Sequence, residues 1–309
     1  MKDESIKNLF QSLKTEISKM DDETEKSASL LRLEELAKSY EGEDKVVSSR
    51  DIAEVIKKTP PQPGIMSGFI MLDKILSGFT PHQVIVLSGI TKHGKTSFAI
   101  ELTIQMEQEN PLWFPLEESA TELITKFMER DQEVPLFFTP KQIKTNTLDW
   151  IESKIVESKA KYGTKVVFID HLGFIVPRSD NEPMEIGRVM RHLKGLAKKW
   201  NIVIVLLAHL TKTEIDKHPN LEDLKGSSAI GQEADTVMFI WRETTKNRKT
   251  GEITITNITN ISVQANRRTG KTGNIKMLYQ DGRFREVDTR YAQEMFEAYQ
   301  QEEGDIKNW

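Results

Sequence analysis

The sequence predicts an α/β fold: a doubly covered, mostly parallel sheet with added antiparallel strands, preceded by a small N-terminal helical region. Three observations carry this. From Gly64 onward, short continuous apolar runs alternate with helical stretches, as strands buried on both faces do. After Trp241 the runs change to alternating apolar and polar residues, the mark of antiparallel strands. The first 40 residues show two helical apolar stripes.

Taken in order, Ile6, Leu9, Phe10, Leu13 and Ile17 fall on one helical face. Leu30, Leu31, Leu33, Leu36, Ala37 and Tyr40 make a second stripe after the acidic start Asp21-Asp22-Glu23. Two helices this short bury too little surface to stand alone, so they are expected to pack on the main body or on another subunit. Glu41 to Lys45 is a charged linker. Ser48-Ser49-Arg50-Asp51 suits the cap of a short helix, Ile52 to Lys58, which the proline-rich Thr59 to Gly64 then ends. The expected organisation is a helical hairpin with its linker over 1–47, a linker helix and hinge over 48–63, the main α/β domain over 64–288, and an acidic helix or tail over 289–309.

Within the main domain, strands are expected at 84–88, 112–114, 166–169, 202–207 and 237–241, and helices at 96–109, 119–131, 147–161 and 183–200. Ile253 to Val263, Ile275 to Leu278 and Phe284 to Val287, the last two joined by the Asp281-Gly282 turn, are the added antiparallel strands. No internal repeat or low-complexity segment interrupts this order.

At 309 residues, 38% apolar and 29% charged, the chain suits one large α/β domain with a small appendage. No apolar run approaches the ~20 residues that span a bilayer, and Met1-Lys2-Asp3-Glu4-Ser5 has no hydrophobic signal core. A cytoplasmic location without membrane contact is the resulting expectation. The absence of cysteine excludes disulfides and thiolate metal sites, and the six histidines show no ligand spacing. The net charge of −4 is carried by the last 19 residues, so the rest balances to zero. Basic side chains gather between residues 245 and 276, among them Arg267 and Arg268. A neutral body with basic loops can still bind phosphates when loops of several subunits converge.

Gly89 to Thr96 reads G-I-T-K-H-G-K-T, the phosphate-loop pattern G-x-x-x-x-G-K-[ST]. It follows the run Val84 to Ser88 and opens a helix, which is the context such a site requires. Gly89, Thr91, His93, Gly94, Lys95, Thr96 and Ser97 are therefore candidate nucleotide-binding residues. Main-chain N–H groups and the helix N-terminus face the phosphates, Lys95 supplies a point charge, and the Thr96 hydroxyl holds Mg²⁺. Asp170, ending the run Val166 to Ile169, is the expected second Mg²⁺ anchor. Glu117 and Glu118 follow Leu112-Trp113-Phe114; one of them suits activation of an attacking water, and both suit an ordinary helix start. His209, after the run Ile202 to Ala208, suits a γ-phosphate sensor or a simple loop residue. Arg267 and Arg268 suit an arginine finger or a solvated turn equally.

Collected, these motifs resemble the ATPase domain of DnaB-type hexameric replicative helicases, a branch of the RecA-like fold, from about Gly64 to Val287. Gly64 to Asp73 is similar to that family's stretch before the phosphate loop, and Phe168-Ile169-Asp170-His171-Leu172 to its second nucleotide motif. Leu116-Glu117-Glu118-Ser119 is similar to its catalytic-glutamate segment, which selects Glu117 over Glu118. Leu206 to Leu210 occupies the place of its sensor, with His209 where Gln is frequent. Leu224 to Asp235 is the most specific match, similar to its DNA-binding loop and following helix. Gln264 to Gly273 resembles its finger region, ending in R-x-G at Arg268-Thr269-Gly270.

The resemblance implies Arg268 as a finger acting on a neighbouring subunit, with Arg267 as a second candidate, because Asn266 stands where the family commonly has Lys. It implies Lys225, Gly226 and Ser228 as DNA-backbone contacts, and ATP with Mg²⁺ at the interfaces of a ring, usually a hexamer. It also implies docking of the Ile52–Lys58 helix on a neighbour, and a loader or primase as partner. The expected function is ATP-dependent translocation on single-stranded or forked DNA in replication. The N-terminal region is shorter than the family's usual domain, so a compact member from a phage, plasmid or other mobile element is expected. The rival readings are a non-unwinding RecA-like ATPase, such as a recombination mediator or KaiC-like regulator, and an ATP-gated loading or assembly factor.

Overall fold

The strand runs of the main domain join into one mixed sheet. The structure, a computed structural model, describes residues 2–42, 45–59, 63–130, 133–210, 218–224, 226–246 and 253–287. The chain divides into two units, Met1–Gln62 and Pro63–Trp309.

In the second unit the strands are β1 (Val84–Gly89), β2 (Leu112–Pro115), β3 (Val166–Asp170), β4 (Val203–His209), β5 (Thr236–Lys246), β6 (Ile253–Asn266), β7 (Gly273–Gln280) and β8 (Arg283–Glu286). Their order in the sheet is β2-β3-β4-β1-β5-β6-β7-β8. The first five pair in parallel and the last three are added antiparallel. The expected fold class is borne out, including the change of texture after Trp241.

Both faces of the parallel part are buried, which is why its strands read as unbroken apolar runs. Val84, Val86, Val167 and Ile169 face one core with Ile151 and Ile155 of α7 (Leu148–Tyr162) and Val189 and Leu193 of α8 (Glu182–Lys199). Ile85, Leu87, Phe168 and Val205 face the other. That core is closed by Leu72 of α4 (Ile70–Leu76), Phe98 and Leu102 of α5 (Lys95–Gln105), and Leu123 and Phe127 of α6 (Ala120–Met128). Trp113 anchors it: the indole stacks on Phe168 at 4.9 Å and donates to Thr103 Oγ1 at 2.8 Å.

Helix α4 has no counterpart in the sequence reading. Its start lacks a local side-chain cap; instead Glu286 of β8 accepts the Met71 and Leu72 N–H groups at 2.7 and 3.2 Å. A cap supplied from the far end of the domain leaves no signal beside the helix.

In the first unit, α1 (Lys2–Ile17) and α2 (Glu23–Lys38) form the hairpin, with Asp22 accepting the Thr24 and Glu25 N–H groups as α2's cap. Ser48 and Asp51 make a capping box on α3 (Ser49–Lys58), which leaves Ile52, Val55 and Ile56 exposed. The acidic tail expected over 289–309 lies outside the described residues. Among those described, no helix is long and apolar enough to cross a membrane.

Candidate nucleotide-binding site

The carboxyl ends of β1 to β4 lie together, and there the chain leaves the sheet through polar residues. Strand β1 ends at Gly89, so close to β5 that a Cβ on it would sit 2.0 Å from the Ile240 carbonyl oxygen. Gly94, at φ +98°, turns the loop into α5. Lys95 is buried and curls over the loop, donating to Gly89 O at 2.9 Å and Ile90 O at 3.3 Å. Burial lowers its pKa, and the nearby Asp170 opposes that shift. Thr91 is exposed, whereas the His93 side chain is buried and its Nδ1 accepts the Arg242 N–H at 3.0 Å. The His93 ring therefore braces β5. Ser97 Oγ accepts from Arg130 of α6 at 3.0 Å.

Asp170 ends β3 opposite the loop, and the Thr96 hydroxyl donates to its Oδ2 at 3.0 Å. Burial pushes the Asp170 carboxyl up to about 6; the Thr96 hydrogen bond opposes this, and Glu117 and Glu118 add to it. A buried carboxylate beside a hydroxyl, with further carboxylates near, is an oxygen donor set for a hard divalent cation. These residues fit Mg²⁺.

The two glutamates after β2 differ in surroundings. The Glu118 side chain is 13% exposed and pairs with Lys126 of α6, leaving Oε1 buried without a hydrogen-bond partner. Glu117 is 50% exposed, and its Oε2 lies 3.7 Å from His171 Nε2 and 3.8 Å from His209 Nε2. His209 ends β4 in register with Gly89, and its ring meets that of His171 edge to face at 4.0 Å. Burial, with His209 adding, pushes His171 down to about 4; burial also lowers His209. Both rings are therefore largely neutral near pH 7. Spacing alone suggested no grouping of histidines, and that expectation is corrected. His171 and His209 converge on Glu117 because parallel strands β3 and β4 end side by side. The available signal was a histidine near the end of each of two apolar runs.

The turn after β6 lies at the opposite end of the sheet. Asn266 pairs with Thr236, the first residue of β5, whereas Gly89 pairs with Ile240 four residues further along. That offset is about 13 Å at strand spacing. Arg268 donates to the Ser77 and Gly78 carbonyls at 2.8 and 3.0 Å, and to Leu76 O, capping the end of α4. Arg267 donates to the carbonyls of Gly231 and Gln232 at the end of α9 (Ser227–Glu233). Asn266 is buried and bonded to Ile75 O and Thr269 Oγ1, so it frames the turn. Lys225 lies outside the described residues. Beside it, Gly226 adopts φ +73° against Ile186, and Ser228 is exposed at the start of α9. Leu210 and Leu224 form a bridge that closes the base of this loop.

The sequence matches the family described as DnaB-like helicase C terminal domain over residues 64–137 and 133–286. It is similar to the replicative DNA helicase DnaB of Rickettsia conorii, 30% identical over 287 residues, covering 74% of this chain and 58% of that protein. The chain thus spans under two thirds of that relative's length. Among solved structures it resembles a separately solved ATPase domain, with TM-score 0.65 at 21% identity, covering 77% of this chain and 97% of that one. It also resembles a DnaB-like replicative helicase described with its interactions with primase, with TM-score 0.64 at 21% identity, covering 92% and 77%. The structural likenesses speak for the fold.

Proposed function

The chain belongs to the DnaB-like helicase C-terminal domain family, and on that premise we propose that it is an ATP-driven translocase that unwinds DNA as a ring. One observation carries the reading beyond the family. The phosphate loop, Asp170, Glu117 and His209 gather at one end of the sheet, and Arg268 stands at the other. Arg268 is thus removed from its own chain's phosphate loop, and a head-to-tail neighbour would bring one chain's Arg268 to the next chain's Lys95. Such a heterologous contact repeats into a closed ring.

In this reading the main-chain N–H groups of Gly89 to Thr96 bind the phosphates of ATP, and Lys95 exchanges its carbonyl partners for phosphate oxygens. Mg²⁺, when bound, neutralises phosphate charge. Thr96 and Asp170 hold it. Glu117 accepts the proton of the attacking water, and His209 contacts the γ-phosphate. Arg268 of a neighbour leaves the α4 carbonyls to stabilise charge on the transferring group. Asn266 is a frame residue of the turn, so its difference from Lys leaves Arg268 as the finger, while Arg267 ties the turn to α9. Lys225, with the N–H groups of Gly226 and Ser228, grips phosphates of one DNA strand, which makes binding independent of sequence and sensitive to salt. The exposed apolar face of α3 docks on a neighbour, and residues 1–47 and 289–309 are left for a loader or primase.

The test joins two measurements. ATP hydrolysis should rise with added single-stranded DNA and lose that stimulation as salt increases. Negative-stain images with ATP and DNA should show closed rings. Filaments, or turnover indifferent to DNA, would favour the recombination-mediator or regulator reading and overturn this one.

A further inference from the structure

Three side chains at the site, Glu117, His171 and His209, bring their ligand atoms within 4.8 Å of one another. A carboxylate and two imidazoles are the donor set of many transition-metal sites. The loop after β3 decides against that use. Gly173 donates its N–H to His171 Nδ1 at 3.0 Å. A ring nitrogen that accepts a hydrogen bond carries no proton, so the proton of the neutral ring sits on Nε2. A metal-bound Nε2 needs the reverse, an Nδ1–H donating outward. The pole that His171 turns to Glu117 is therefore a donor.

The ring is fixed in that attitude. It packs on Phe174 at 4.8 Å and against His209 at 4.0 Å. A Cβ on Gly173 would lie 2.8 Å from His171 Cε1, so only glycine lets the loop close this tightly over the ring.

We infer that His171 is a positioning residue: its Nε2–H seats one oxygen of the Glu117 carboxylate and leaves the other to take the proton of the attacking water. This rests on Glu117 being the base. The present 3.7 Å separation exceeds a hydrogen bond by about 0.8 Å, which a small rotation of the half-exposed Glu117 closes. Catalytic hydrogen bonds are often long until substrate fills the site. Neutrality of His171 near pH 7 keeps its second nitrogen available to Gly173, in agreement with the observed bond.

The experiment measures steady-state ATP turnover of the full chain with Mg²⁺ and saturating single-stranded DNA. His171→Ala should lower kcat by about 10- to 100-fold, the cost of a misplaced catalytic group, with KM for ATP changed by no more than about twofold. His171→Gln, whose amide Nε2–H occupies the place of the imidazole Nε2–H, should recover most of that loss. His171→Asn keeps an acceptor for Gly173 but does not reach Glu117, and should recover none. Equal recovery by Asn and Gln would make His171 a loop residue and overturn the inference, as would an unchanged kcat in the alanine variant. A tetrahedral Co²⁺ spectrum from chelator-treated protein, lost in His171→Ala, would also overturn it in favour of a metal site. Glu117→Gln separates the premise from the inference. Turnover surviving that change removes Glu117 as base, whereas a dead Glu117→Gln with a normal His171→Ala sinks the positioning role alone.

Discussion

Replacing Asp170 by Asn should stabilise the protein while destroying its metal site. Asp170 is buried, and its carboxyl is pushed up from 3.8 to about 6, chiefly by burial. Between those values the native chain holds a proton that the unfolded chain has released. Stability therefore falls as pH rises through this window, and the penalty is complete above the folded pKa. At 1.36 kcal/mol per unit the full penalty is roughly 3 kcal/mol near pH 8, shrinking to about 1 kcal/mol at pH 4.5. Asn keeps an oxygen for the Thr96 hydroxyl and carries no charge, so Asp170→Asn should gain that difference. Urea unfolding of chelator-treated, nucleotide-free protein, followed by tryptophan fluorescence, measures it across this pH range. Trp113 lies buried against Phe168 of β3 and reports loss of the sheet. A variant no more stable than the parent at pH 8, or a gain that does not shrink at pH 4.5, would refute the reasoning. With MgATP present the order should reverse, because ligand stabilises only the chain that binds it.

Three further perturbations probe the site. Lys95→Ala should reduce phosphate release by at least about 100-fold, the scale of losing a preorganised charge contact; ordinary turnover would remove the phosphate loop from the chemistry. Arg268→Ala subunits mixed with Glu117→Ala subunits should regain turnover if the finger acts on a neighbour, and no recovery at any ratio counts against that arrangement. Gly89→Ala would place a methyl group 2.0 Å from the Ile240 carbonyl oxygen, so β1 and β5 must part. A loss of about 3 kcal/mol or more in urea unfolding is expected, and near-parental stability would mean that the sheet yields there without strain.

The parallel strands were legible because burial on both faces leaves no polar positions in them, as in Val84-Ile85-Val86-Leu87. Likewise the Ser48–Asp51 cap is complete within four neighbouring residues, so its helix could be placed from them. Helix α4 was not legible, since its cap is Glu286. The phosphate loop is a local motif and could be recognised whole. The pairing of His171 with His209 could not, because it depends on which strands are neighbours. Strand order is set by packing across the entire sheet, and 38 residues separate the two rings in sequence. Sequence also left the two glutamates equivalent until a family resemblance chose between them. In the structure Lys126 holds Glu118, and Glu117 faces the two histidines. Arg267 and Arg268 read as equal fingers in sequence, yet they cap two different helices, α9 and α4.

Strand separation on a forked DNA duplex, followed over time with MgATP, is the measurement that bears most directly on whether hydrolysis at this site moves DNA. The wild-type chain should displace one strand in an ATP-dependent reaction, and Lys95→Ala should displace none. Hydrolysis stimulated by single-stranded DNA without any strand separation would contradict a DNA-unwinding motor.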